Sequence, residues 1–161
     1  MITDFVEYLK TCSSKKIGLN NLFVPDSKIA IGDDDVAKAE KMLNCSLPTG
    51  YETFLQTLGT GCWADANVTS PNELYAFDES VGEMCGMIPV AENVDECGSY
   101  VAFNPRDQQL YFCCHDPFGY ALVASSFEEF IELIADQWIN DPKEGTKKYY
   151  SSLPSFEKVQ P

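Results

Sequence analysis

Cys113, Cys114 and His115 stand side by side, and His115 is the only histidine of the chain. A thiol beside an imidazole could be a nucleophile with its base, or part of a zinc site. On a strand, Cys113 and His115 would share one face and Cys114 would take the other. Zinc wants four ligands, usually including a close pair such as Cys-x-x-Cys, and the sequence holds no such pair. A dyad wants an exposed thiolate, which the acids around this segment, Asp116 among them, disfavour. The other cysteines are Cys12, Cys45, Cys62, Cys85 and Cys97, an odd total of seven at irregular spacing. A chain of 161 residues can form a core without staples, so they read as reduced thiols of a cytoplasmic protein. Carboxylates are too abundant for one pair to be singled out as acid and base. Glu40 reads as a partly buried hydrogen-bonding residue on the rim of a helix. Nothing in these patterns asks for a metal, a cofactor or a small-molecule substrate.

Gly59 and Gly61 raise the question of a phosphate loop. Such loops put glycines before a helix, where free N–H groups point at the anion. Here the glycines follow one. Tyr51, Phe54, Leu55 and Leu58 lie at i, i+3, i+4 and i+7, one helical face, and Gly59 stands one place past the stripe. The pair is therefore read as helix punctuation.

The elements that would position any site follow from the same kind of reading. A short helix is expected after Thr3, with Phe5, Val6 and Leu9 on one side. The segment from Ser13 to Gly32 mixes Gly, Asn and Pro with apolar residues and reads as a loop with partial order. Asp33 is expected to cap a helix carrying Val36, Ala39, Met42 and Leu43, ended by Asn44. Leu47-Pro48 opens the Tyr51 helix. The stretch "CWADANV" reads as strand or irregular. Ser70, Pro71 and Glu73 form a capping box for a short helix. Strands are expected in "MIPVAE", "GSYVAFNP", "QLYFCCHD" and "YALVAS", with Asn104 to Asp107 and "DPFGY" as turns. Tyr100, Phe103, Tyr111 and Phe112 could imitate a base-stacking platform, but such platforms interleave Lys and Arg, so these rings are assigned to packing. Ser126 and Glu129 form a second capping box, before a helix burying Phe127, Phe130, Ile131 and Ile134 and extended by Trp138. Tyr149, Tyr150, Leu153 and Phe156 of the C-terminal segment are expected to dock on the body.

Charge is the strongest global signal. The net value is −14, unevenly placed. From Glu52 to Asp141 sixteen acids meet a single base, Arg106, a balance of −15. Such a field repels nucleic acid and anionic membrane and steers a basic protein, although solubility alone also accounts for an acidic chain. No apolar run is long enough to span a membrane, and the N-terminus lacks the pattern of a secretory signal.

The stretch "AEKMLNCSLPTGYETFLQTLGTG" resembles the N-terminal signature of the SUKH superfamily. Glu40, Leu43, Leu47, Pro48, Tyr51, Phe54, Leu55, Gly59 and Gly61 carry the likeness, and Ser126, Phe127, Phe130 and Ile131 match its later helix start. The two segments frame residues 30 to 135. The region from Cys62 to Pro89 and the end from about Asp141 fall outside the pattern. The resemblance implies an α+β fold, a mostly antiparallel sheet with helices on one side and at the ends, and no catalysis. Bacterial members are mostly immunity proteins that neutralise a cognate toxin, often a nuclease or deaminase. Fungal members are regulatory interaction proteins.

The expectation is thus an immunity protein whose acidic surface occludes a basic toxin domain, a nuclease being the case that charge suits best. Its parts would be an N-terminal helix and loop (1–30), a SUKH-like domain (31–140) and a docked C-terminal extension (141–161). The candidate partner-binding residues are Asp65, Asp78, Glu79, Glu83, Glu92, Asp95 and Glu96, which flank the unmatched segment, though plain solvation is the better explanation of any single one of them. A regulatory interaction module is the alternative. An enzyme built on Cys113 or Cys114 with His115 is the third reading.

Overall fold

The computed structural model describes residues 4–26, 31–92, 94–95, 98–115, 118–153 and 157–158. Its frame is an antiparallel sheet in which every pair of neighbours is antiparallel. Six strands form a meander in chain order: β4 (Gly61–Trp63), β5 (Ala66–Val68), β6 (Ile88–Glu92), β7 (Tyr100–Asn104), β8 (Gln109–His115) and β9 (Phe118–Ala124). β3 (Phe23–Pro25) closes one edge beside β4, and β10 (Glu157–Lys158) the other beside β9. β1 (Lys16–Ile17) and β2 (Asn20–Asn21) make a separate small hairpin.

The helices are α1 (Phe5–Cys12), α2 (Asp35–Leu43), α3 (Thr49–Leu58), α4 (Phe127–Asn140) and α5 (Gly145–Ser152). Their apolar stripes and one sheet face make the main core. Tyr51, Phe54 and Leu55 of α3 and Phe127, Phe130, Ile131 and Ile134 of α4 are buried there, as the spacing predicts. Trp63 is its centre, ringed by Tyr8, Phe23 and Phe54, and its indole N–H donates to the Ile131 carbonyl at 3.0 Å. That bond satisfies the one polar atom a buried tryptophan carries and locks β4 to α4. The single-domain α+β class follows from this architecture.

Local punctuation differs from the sequence expectation in instructive ways. Thr3 lies outside the described residues, and Asp4 caps α1 by accepting from the Glu7 N–H at 3.0 Å. Asp34, not Asp33, occupies the N-cap of α2, without a side-chain bond, while Asp35 accepts from Gly32 N–H. Asn44 ends α2 in the left-handed region at φ 55°, and Gly59 ends α3 at φ 78°. Gly61 does not share in that punctuation. It is a strand residue, and a Cβ there would stand 2.5 Å from the Val24 carbonyl oxygen and 2.7 Å from the Phe23 ring. Its bareness lets Phe23 fold across β4.

The segment read as a loop from Ser13 onward contains two short strand pairings, because each strand is only two or three residues long and shows no alternation to read. Pro25 is tolerated since β3 is an edge. "CWADANV" is a complete hairpin, turned at Ala64 (φ 47°) and Asp65 (φ 72°) without glycine. Of the two capping boxes, the one at Ser126 forms: its Oγ accepts from Glu129 N–H at 3.1 Å. The returning Glu129 carboxylate accepts from Ser125 N–H at 2.8 Å, one residue earlier than expected. The box at Ser70 does not form; Pro71–Glu73 is a single 3-10 turn with no side-chain cap.

A candidate partner-binding surface on the outer sheet face

The helices cover one face of the sheet and leave the other to be filled from elsewhere. Strand alternation sets one cross-strand row on this outer face: Val24, Cys62, Asn67, Glu92, Tyr100, Cys113 and Tyr120. The long connection between β5 and β6 crosses half of that row. Its 3-10 stretch Glu79–Met84 brings Met84 and Met87 onto Ala102 and Cys113, with Phe77, Tyr100, Tyr111 and Tyr120 around them. Phe77 meets Tyr75 on one side and Tyr100 on the other, both edge-to-face. The Tyr120 hydroxyl donates to Glu83 Oε2 at 2.5 Å.

Arg106 fixes the same cover. Its Nη2 donates to the carbonyls of Cys85 at 2.9 Å and Glu83 at 3.5 Å. Among the described residues it pairs with no carboxylate. The one base of the acidic middle is therefore engaged with backbone carbonyls and the Asn104 amide oxygen and forms no ion pair with the acids beside it.

The other half of the row is uncovered. Val24, Cys62, Asn67 and Glu92 floor a groove of about 370 Å³ whose lining also includes Asp26, Thr69 and Glu73. Burial raises the Glu92 carboxyl above the ordinary value, and the nearby Glu73 carboxylate adds to the rise. Neither has a cation partner among the described residues. Cys62 is pushed up to about 11 by burial and by Asp65.

The acids selected on sequence grounds fall into separate places. Asp78, Glu79 and Glu83 lie exposed on the cover, with Asp78 accepting from Ser80 N–H at 2.9 Å. Glu92 is in the open groove. Asp65 and Asp95 lie at one end of the sheet, at the β4–β5 turn and the β6–β7 connection, near Tyr150, whose pKa is raised first by burial and then by Tyr149, Asp95 and Asp65. Tyr150 belongs to α5 and stacks on Phe112 at 4.8 Å. Glu96 lies outside the described residues, as do Cys97, Asp116 and Phe156. Glu73 and Asp26, two walls of the groove, are not singled out by the sequence. The capping-box pattern accounts for Glu73 there, and Asp26 sits in the stretch read as loop.

The thiols are poorly placed for nucleophilic chemistry. Cys113 is buried beneath the cover, its pKa pushed up to about 12 by burial, with Cys114 adding to the rise. Cys114 is half-buried on the opposite face. The six described cysteines are free thiols. Among the described residues no three acid, thiol or imidazole groups converge as metal ligands, and no helix is long and apolar enough to cross a membrane.

An eight-strand antiparallel sheet, packed by helices on one side and opened to solvent on part of the other, defines a single-domain α+β scaffold that offers a surface. The family model of the SMI1/KNR4 family (SUKH-1) matches residues 30–133, well over half of the chain, and the chain belongs to that family. The family includes immunity proteins and is not a known enzyme family. No curated protein and no solved structure matches the chain.

Proposed function

We propose that this chain is a cytoplasmic immunity protein that binds a cognate basic toxin domain, a nuclease by preference, and occludes its active site without chemistry of its own. The observation that carries the reading is the charge of the acidic middle of the chain: sixteen acids meet one base, Arg106, which pairs with no carboxylate among the described residues, and Asp78, Glu79 and Glu83 stand exposed on the cover. A nuclease site is cationic because it holds phosphates, and an acidic surface competes for that charge. Family membership supports a protein partner. The candidate contacts are Glu92 and its neighbour Glu73 in the groove, Asp78, Glu79 and Glu83 on the cover, Asp65 and Asp95 at the sheet end, and Glu96, which lies outside the described residues.

The test is association with the product of the neighbouring open reading frame, followed by stopped flow at rising salt. Association should slow about tenfold or more between low and physiological ionic strength, and the complex should lack toxin activity. A salt-independent rate sinks the electrostatic account. A pull-down returning many unrelated clients and no toxin favours the regulatory module instead.

A further inference from the structure

We propose that the groove between β3–β6 and the Pro71–Glu73 turn is a docking site for an arginine side chain of the partner protein. This deepens the binding reading above and rests on it for the identity of the partner.

Three features converge. The first is charge complementarity: Glu73 and Glu92 face one groove and neither is paired with a cation among the described residues. The second is an orphaned hydroxyl. Thr69 is only 5% exposed, lines the groove, and its Oγ1 has no hydrogen-bond partner. It lies two residues after Asn67, and its N–H donates to the Val90 carbonyl at 2.9 Å, continuing the ladder. Alternation therefore sets its side chain on the same face as Asn67, toward the groove. The third is the floor: Val24, 52% exposed, and Cys62 give apolar surface beside the acids.

These features select among cations. A metal ion wants several ligands converging on one point, and among the described residues no three acid, thiol or imidazole groups do so. An ammonium is a compact charge that three acceptors satisfy. A guanidinium is a planar fork with five donors and can serve two carboxylates at once, with the Asn67 amide and the Thr69 hydroxyl on the same lining. Its aliphatic stem can lie along Val24 and Cys62 while the fork enters the acids.

The test needs no toxin. N-acetyl-arginine-N-methylamide, which has no charged termini, is titrated into the isotope-labelled full chain, with the lysine and citrulline equivalents at equal ionic strength. The amide signals of Cys62, Asn67 and Thr69 should shift saturably with the arginine compound. Lysine should bind about fivefold more weakly or worse, and citrulline should leave the signals in place. E73Q and E92Q should each weaken arginine binding about fivefold or more, while E7Q, on α1, should not. Shifts that never saturate, equal binding of lysine, or indifference to both substitutions would overturn the proposal. A chain that takes arginine but ignores the neighbouring toxin would instead overturn the immunity reading, so the two failures are distinguishable.

Discussion

The Tyr51 hydroxyl donates to the Thr69 carbonyl oxygen at 2.5 Å in a buried setting. The bond joins the middle of the family signature to the lip of the acidic groove. α3 thereby holds the end of β5 where Thr69 and the Pro71–Glu73 turn leave the sheet. The first expectation is that Tyr51→Phe keeps the ring packing against Phe127 but leaves the Thr69 carbonyl unsatisfied. Stability should fall by about 1–3 kcal/mol, read from denaturant unfolding, with the slope of the transition unchanged. A change below a few tenths would show that solvent replaces the bond.

Gly61→Ala probes the β3 edge. The added methyl meets the Val24 carbonyl and the Phe23 ring, neither of which can yield without moving β3 or Trp63. A loss of about 1–3 kcal/mol is expected, as for other overpacked sites. Hydrogen exchange should concentrate the loosening at Val24 and Cys62, which are paired across the edge. Uniform loosening of the whole sheet would show instead that β3 is no separable edge.

Glu92 gives a pH dependence with a definite sign. Its carboxyl is raised above 4.5 by burial and by Glu73, so the folded chain holds that proton more tightly than the unfolded chain does. Stability contributed by the neutral form is therefore lost as pH climbs from the ordinary glutamate range through the raised one. Glu92→Gln should gain stability relative to the parent across that window, and the difference should level off above it. A difference flat throughout acid pH would show that Glu92 is solvated like a free side chain.

The two half-faces should also separate by thiol labelling. Cys113, raised to about 12 beneath Met84 and Met87, should react only as fast as the cover opens. Arg106→Ala removes donors from the Cys85 and Glu83 carbonyls and should speed that reaction about tenfold, leaving Cys62 unchanged. Fast labelling of Cys113 at neutral pH in the parent chain would revive a nucleophilic role for the Cys113–His115 stretch.

The helical half of this fold is legible because burial at period 3.6 writes itself into the chain: Tyr51, Phe54, Leu55 and Leu58, or Phe127 to Trp138. The meander is legible from β6 to β9, where strands are five to seven residues long. β3 to β5 are three residues each, too short to establish alternation, and the β4–β5 turn uses Ala64 and Asp65 in a conformation usually given to Gly or Asn. The groove inherits that difficulty. Its carboxylates come from an edge-strand end, a 3-10 turn and a strand terminus far apart in the chain, so only the sheet register brings Glu73 and Glu92 together. Ser-Pro-x-Glu fits a helix cap and so hides Glu73 in the sequence; the turn ends after three residues, before a cap bond can form.

The final expectation concerns which acids steer a partner and which hold it. Asp78, Glu79 and Glu83 stand exposed on the cover, whereas Glu92 is half-buried against Glu73. Exposed charges act through the long-range field and should change the association rate; a recessed charge that meets its counterpart only after docking should change dissociation. Reversing Asp78 and Glu79 together to Lys is expected to slow association about tenfold at low salt, an effect that disappears at high salt. Glu92→Gln is expected to raise the dissociation rate about tenfold with little change in association. The contrast is measurable by surface plasmon resonance against the cognate toxin. If both substitutions act on the association rate alone, the groove contributes field and no contact, and the partner sits on the cover.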